Sequence, residues 1–245
     1  MEKIRTAVVT GAGSGIGQAI ALMLAKLGYQ VVLVGRDRGK LEATASRAEL
    51  PEGTPAPLLV SCDVADRGEV AKLAEAVATK ASAVDVLVCN AGTNVRERSL
   101  EKLSHEDWDK MIATNLTGAF NLVHAFLPGM RKQESGLVVQ ICSVSGLRAS
   151  VLGGAGYSAS KFGQAALGIC LGREDGPKGI RSTVIYPGEV NTPILDARPV
   201  PVGKERREAI LQPVDVAAAV KFLVELHPRA SVPELVIKPT VDDFA

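Results

Sequence analysis

Tyr157 and Lys161 stand four residues apart, so on a helix the phenol and the ammonium lie one above the other on one face. A free phenol titrates near ~10, and work at neutral pH asks for a fall of about three units, roughly 4 kcal/mol of differential stabilisation. A neighbouring ammonium supplies part of that fall by favouring the phenolate. Such a tyrosine can exchange a proton with an alcohol or a ketone. Ser143, at the end of an apolar run, can donate to the substrate oxygen as that oxygen gains charge. Far upstream, Thr10-Gly11-Ala12-Gly13-Ser14-Gly15-Ile16-Gly17 can cradle a dinucleotide pyrophosphate, because glycines let the backbone approach phosphate at a helix N-terminus. Proton exchange at Tyr157 and hydride exchange at a nicotinamide would then belong to one reaction. The bland alternative is a half-buried Tyr and a snorkelling Lys. Against it, Ala159, Phe162, Ala166 and Ile169 form the apolar stripe of the same helix, and Tyr157 and Lys161 project from another side.

These groups need a scaffold, and the chain alternates strand and helix throughout. Short β-branched runs at Ala7–Thr10, Val31–Val34, Leu58–Ser61, Val86–Cys89, Leu137–Ile141, Thr183–Tyr186 and Leu235–Ile237 suit strands covered on both faces. Between them lie helical patterns from Ile16 to Leu27, closing near Gly28, over Glu69–Ser82, and as one long helix over Glu106–Met130. The alternation predicts right-handed βαβ units in a single-domain, Rossmann-type, doubly wound α/β fold, a parallel sheet flanked by helices over residues 1–245. The segment Glu189–Gln212 reads as a loop instead, with residues 192–212 placed as a substrate lid. Arg198, Lys204, Arg206 and Arg207 there, with Arg148 on the opposite wall, could meet an anionic substrate or could simply keep a loop soluble.

A formal charge of +1 gives no reason to expect nucleic-acid or membrane-surface binding. No apolar stretch is long enough to span a bilayer, and Met1-Glu2-Lys3-Ile4-Arg5 leads directly into a strand without a secretory apolar region. Cys62, Cys89, Cys142 and Cys170 form no C-x-x-C pair, and His105, His124 and His227 have no second ligand at metal spacing. A cytoplasmic protein without a metal is expected.

Taken together, the motifs resemble those of the short-chain dehydrogenase/reductase family, in order and over essentially the whole chain. Thr10–Gly17 is similar to its Thr-Gly-x-x-x-Gly-x-Gly, and the resemblance implies cofactor contacts from Gly11, Ser14, Gly15, Ile16 and Gly17. It implies the same for Asp63-Val64 at the adenine, Asn90-Ala91-Gly92 beside the central strands, and Pro187, Gly188, Val190 and Thr192 at the nicotinamide. Asn115, Ser143, Tyr157 and Lys161 correspond to the catalytic tetrad, with Lys161 also binding ribose and Asn115 holding a relay water at a local kink. Two departures, a longer Ser143-to-Tyr157 loop and a C-terminus with Val241-Asp242-Asp243 in place of Val-Asp-Gly-Gly, leave the substrate unassigned.

Gly35 takes the position where an acidic residue would hold the ribose 2′-hydroxyl, and Arg36 follows it. NADP(H) is favoured over NAD(H), although Asp37 could reach the ribose or cap the next helix. The chain therefore reads as an NADP(H)-dependent oxidoreductase of a small-molecule carbonyl or secondary alcohol. Small residues on the Tyr157 helix, and apolar ones on Glu106–Met130, favour a homodimer or homotetramer. Two alternatives stand beside it: a 3-oxoacyl-thioester reductase docking through Arg96, Arg98, Arg206 and Arg207, and a non-catalytic dinucleotide sensor.

Overall fold

Each of the seven apolar runs forms a strand. They are β1 (Thr6–Thr10), β2 (Gln30–Gly35), β3 (Leu58–Ser61), β4 (Val86–Cys89), β5 (Gly136–Ile141), β6 (Ile180–Pro187) and β7 (Glu234–Ile237). The computed structural model describes residues 4–80 and 83–242, so Met1–Lys3, Ser82 and Asp243 of the sequence reading lie outside the described residues. All strands pair in parallel in one sheet of order β3-β2-β1-β4-β5-β6-β7. The order reverses between β1 and β4, and the carboxyl ends of those strands therefore open a crevice, the usual ligand position in such sheets.

The strands are apolar on both sides because both sides are covered. Val31 and Leu33 of β2 pack with Ile20 and Leu24 of α1 (Gly15–Lys26) and Val216, Val220 and Leu223 of α8 (Pro213–Glu225). Their neighbours Val32 and Val34 point the other way, to Val70 and Leu73 of α3 (Arg67–Lys80) and Leu122 and Phe126 of α5 (Gly118–Lys132). Period-two alternation thus distributes one continuous run between two cores, and each such side chain contributes roughly 1.5–3 kcal/mol by leaving water.

Three expectations need correction. The single helix over Glu106–Met130 is instead α4 (His105–Met111), a π-helical turn over Ile112–Thr117, and α5, which continues to Lys132. The segment 189–212 is not plain loop: a 3₁₀ turn covers Pro193–Ala197, α7 covers Lys204–Ala209, and Val190 bridges Leu211. Ion pairs hold it there, from Arg198 (2.5 Å) and Arg206 (2.6 Å) to Glu189 and from Arg207 to Asp196 (2.6 Å). The third concerns α6 (Ala155–Asp175). Its buried side carries Gly156, Ser160, Lys161, Gln164 and Gly168, while Ala159, Phe162 and Ala166 face outward. Close approach to the sheet decides this: a Cβ on Gly168 would meet Val184 Cγ2 at 2.5 Å. Glycine is needed where α6 comes closest to β6, and Ala159, Phe162 and Ala166 lie on the side away from the sheet.

Candidate active site

The N-terminus of α1 opens at the carboxyl ends of β1 and β4. Ser14 occupies the N-cap in extended conformation without a side-chain cap, and no acidic residue lies in the first turn. The first N–H groups of a helix have no intrahelical partner, and the helix dipole favours negative charge beside them. This uncapped end fits a phosphate group. Asn90 braces the loop, donating Nδ2 to Thr10 O at 2.8 Å, while Thr10 Oγ1 accepts from the backbone N–H of Asn90 and Ala91.

A cavity of about 990 Å³ runs from this end to Tyr157. Its wall includes Gly11, Ser14, Gly15 and Ile16, then Asn90, Ala91 and Gly92, then Pro187, Gly188, Val190 and Thr192, with Ser143, Tyr157 and Lys161 among them. Gly17 lies outside it, within α1 against the Gly11 carbonyl. Asp63, Val64 and Arg36 also lie outside, past the ends of β3 and β2. Arg36 is largely exposed and comes within 4.0 Å of Asp63. Asp37 is engaged as the N-cap of α2 (Arg38–Ala45), accepting from Lys40 N at 3.1 Å. Arg36 thus stands exposed at the strand end, with Asp63 as its ion-pair neighbour.

Lys161 is buried and donates from Nζ to Ile141 O at 2.9 Å and Gln164 Oε1 at 2.7 Å. Gln164 in turn donates to Gln140 Oε1 at 3.1 Å. Two of the three ammonium protons are thus held by the protein, and one remains. Lys161 Nζ lies 5.8 Å from the centroid of the Tyr157 ring. The Ser143 side chain lies beside the Tyr157 phenol in the cavity wall and favours its ionised form, while Ser143 Oγ accepts from Ser145 N at 3.1 Å. Burial pushes Tyr157 up to about 12, against smaller downward pulls from the neighbouring Ser143 side chain and the charge of Arg98. The expected fall towards neutrality is therefore not a property of the chain by itself, because desolvation of the phenolate outweighs its neighbours. Burial likewise pulls Lys161 down.

Asn115 sits fully buried in the π-helical turn behind the cavity wall. Its Oδ1 accepts from Thr93 N at 2.7 Å, and its Nδ2 donates to Thr93 O and to Ser160 Oγ. The turn is the local kink that the resemblance implies, and π-turns of this kind recur at functional sites.

Gln164 and Arg98 escaped the sequence reading as site residues. Gln164 stands at i+3 from Lys161, a spacing that could have flagged it. Arg98, counted there with a basic surface, is only 7% exposed and lines the cavity. The cations of residues 192–212 do not offer free charge to a substrate. Arg198, Arg206 and Arg207 are engaged by protein carboxylates, and Lys204 is exposed beside Glu208. Among the described residues, no group of three His, Cys, Asp or Glu is placed to hold a metal ion. No helix among them is long and apolar enough to cross a membrane.

The chain is 33% identical over 237 residues to an uncharacterized oxidoreductase of Staphylococcus epidermidis, covering 97% of this chain and 98% of that one. It is 32% identical to the 3-oxoacyl-[acyl-carrier-protein] reductase of Thermotoga maritima, with 89% of each chain covered. Among solved structures, an alcohol dehydrogenase of the archaeon Thermococcus sibiricus complexed with 5-hydroxy-NADP superposes with a TM-score of 0.87. That pair shares 30% identity over 98% of this chain and 99% of the other. The family model for short chain dehydrogenases matches residues 5–200. With the parallel sheet, the glycine loop and the cavity around Tyr157, these matches place the chain in the short-chain dehydrogenase family of oxidoreductases.

Proposed function

We propose that this oxidoreductase interconverts a small-molecule carbonyl and a secondary alcohol with NADP(H), using Tyr157 as general acid in reduction and general base in oxidation. One observation carries the reading: Tyr157 shares a cavity with Ser143, with Lys161 and with the uncapped N-terminus of α1. A bound nicotinamide cofactor supplies or accepts the hydride. Gly11, Ser14, Gly15 and Ile16 would hold its pyrophosphate, Arg36 its 2′-phosphate, and the remaining Lys161 proton its ribose. Ser143 steadies the developing charge on the substrate oxygen. Tyr157 gives its proton to the substrate oxygen in reduction and takes it back in oxidation. Asn115 holds Thr93 and α6 in place and supports proton passage beyond Lys161.

The cofactor of the Thermococcus sibiricus structure supports the NADP reading. The Thermotoga maritima relative supports a second one, reduction of a 3-oxoacyl thioester by the same residues. The buried position of Arg98 weakens the docking surface which that reading needs. Four free cysteines, three of them buried, suit a reducing compartment such as the cytoplasm.

Absorbance of NADPH and NADH, followed against a panel of ketones, aldehydes and 3-oxoacyl esters, tests the proposal. Oxidation by at least one ketone, faster with NADPH, is expected. Silence across the panel with both cofactors overturns it.

A further inference from the structure

Arg98 lies in the wall of the cavity that holds Tyr157, nine-tenths buried. Its Nη1 donates to Leu152 O at 2.9 Å and its Nη2 to Ala197 O at 2.6 Å. A guanidinium carries five N–H donors, and here the buried Nε–H has no partner. No ion pair joins Arg98 to a carboxylate among the described residues, although buried charges are ordinarily paired. The neighbouring acid Glu97 pairs with Lys102 instead.

Other cations of the cavity have partners. Lys161 is bonded to Ile141 and Gln164, and Arg198 and Arg206 share Glu189. Arg198 is also a like charge close enough to disfavour the charged form of Arg98. Arg98 is thus a desolvated cation with a second cation, Arg198, nearby. It is also held near the reacting groups. Gly154, the N-cap of α6 three residues before Tyr157, has φ +79°, and a Cβ there would meet Arg98 Cβ at 2.7 Å and its carbonyl oxygen at 2.8 Å. The glycine lets the Arg98 backbone lie directly against the turn that begins the Tyr157 helix.

We infer that Arg98 is the counter-ion for a carboxylate on the substrate, so that the preferred substrates are oxo acids and hydroxy acids. The inference rests on the reductase reading above and narrows its substrate class. A planar guanidinium matches a carboxylate, and the burial that makes an unpaired Arg98 costly makes the pair selective against neutral analogues. The competing role is mechanical, a clasp between Leu152 and Ala197.

The experiment compares 3-oxohexanoate with its methyl ester, which share one ketone, in wild type, Arg98→Gln and Arg98→Lys with NADPH. Wild type should prefer the acid. In Arg98→Gln the acid-to-ester ratio of kcat/KM should fall at least about tenfold, mainly through KM, and Arg98→Lys should recover part of it. An ester turned over as well as the acid by wild type, or an equal loss on both substrates in Arg98→Gln, overturns the inference. A binding arm separates it from the reductase reading. Calorimetry of the NADP-loaded protein with hexanoate and with hexanamide should show the carboxylate bound more tightly in wild type, and that preference lost in Arg98→Gln. Absence of turnover with detectable carboxylate preference would fault the reductase reading alone; no carboxylate preference in the binding arm faults Arg98.

Discussion

Asn115 Nδ2 donates to Ser160 Oγ at 2.9 Å, tying the π-helical turn to the residue just before Lys161. The same side chain closes two bonds with the backbone of Thr93, beyond Asn90-Ala91-Gly92. One buried amide therefore sets the position of α6 relative to the glycine-loop side of the cavity. Replacing it by alanine leaves the Thr93 N–H without its acceptor. Asn115→Ala should cost about 1–3 kcal/mol of stability in urea unfolding and lower turnover by roughly tenfold or more. A stable variant with full turnover would show that the turn is only scaffolding.

Tyr157→Phe keeps the ring and removes the ionisable oxygen, so turnover should almost vanish while NADPH binding, read by fluorescence, persists. Without cofactor, the phenolate difference spectrum between wild type and this variant should appear only as pH approaches about 12. The sign follows from the raised value: burial favours the protonated phenol in the folded chain. That contribution to stability is present below the unfolded value near ~10 and is lost as pH rises through about 12. Ionisation of Tyr157 near neutrality in the cofactor-free chain would contradict the burial argument.

Arg36 is exposed at the end of β2, with Asp37 already committed to capping α2. Arg36→Ala should weaken NADPH binding by about 1.5–3 kcal/mol, the scale of a lost charge-assisted hydrogen bond, and leave NADH nearly unaffected. Titration of both cofactors checks this. Equal losses, or a wild-type preference for NADH, would move the assignment to NAD.

Phe162 on α6 and Phe120 on α5 are each 44% exposed, and Ala159 and Ala166 flank the former on the outward face. Two copies of these helices could bury that stripe across a two-fold axis. Phe162→Glu should then shift sedimentation from an oligomer towards a monomer at micromolar protein. A wild type that already sediments as a monomer removes the proposal.

Glu189 is almost wholly buried; it accepts from Arg206 and forms an ion pair with Arg198, and Arg206 also pairs with Asp242 near the C-terminus. These pairs hold residues 192–212 over the cavity. Glu189→Gln should raise hydrogen exchange across that segment, and adding NADP with an alcohol to wild type should lower it. Exchange unchanged in both experiments would mean that the segment is fixed wall and not a lid.

The seven strands, the glycine loop and the nearness of Tyr157 and Lys161 on one helix were legible in the residues alone. Each is a local pattern, either a short apolar run or a fixed spacing on one element, and its physics needs no distant partner. The π-helical turn was not legible, because it is stabilised by bonds from Asn115 to Thr93 and Ser160, residues far away in sequence. Nor was the outward stripe of α6. Ala159, Phe162 and Ala166 of the expected stripe face outward while Ile169 packs partly against the core, and which face is buried depended on how closely Gly168 lets the helix approach Val184. Charge was the least legible of all. Arg198 and Arg206 looked free and are paired, whereas Arg98 looked like surface and is buried. A sequence lists charges, but only the folded chain brings each one to a partner or leaves it in a cavity wall without one.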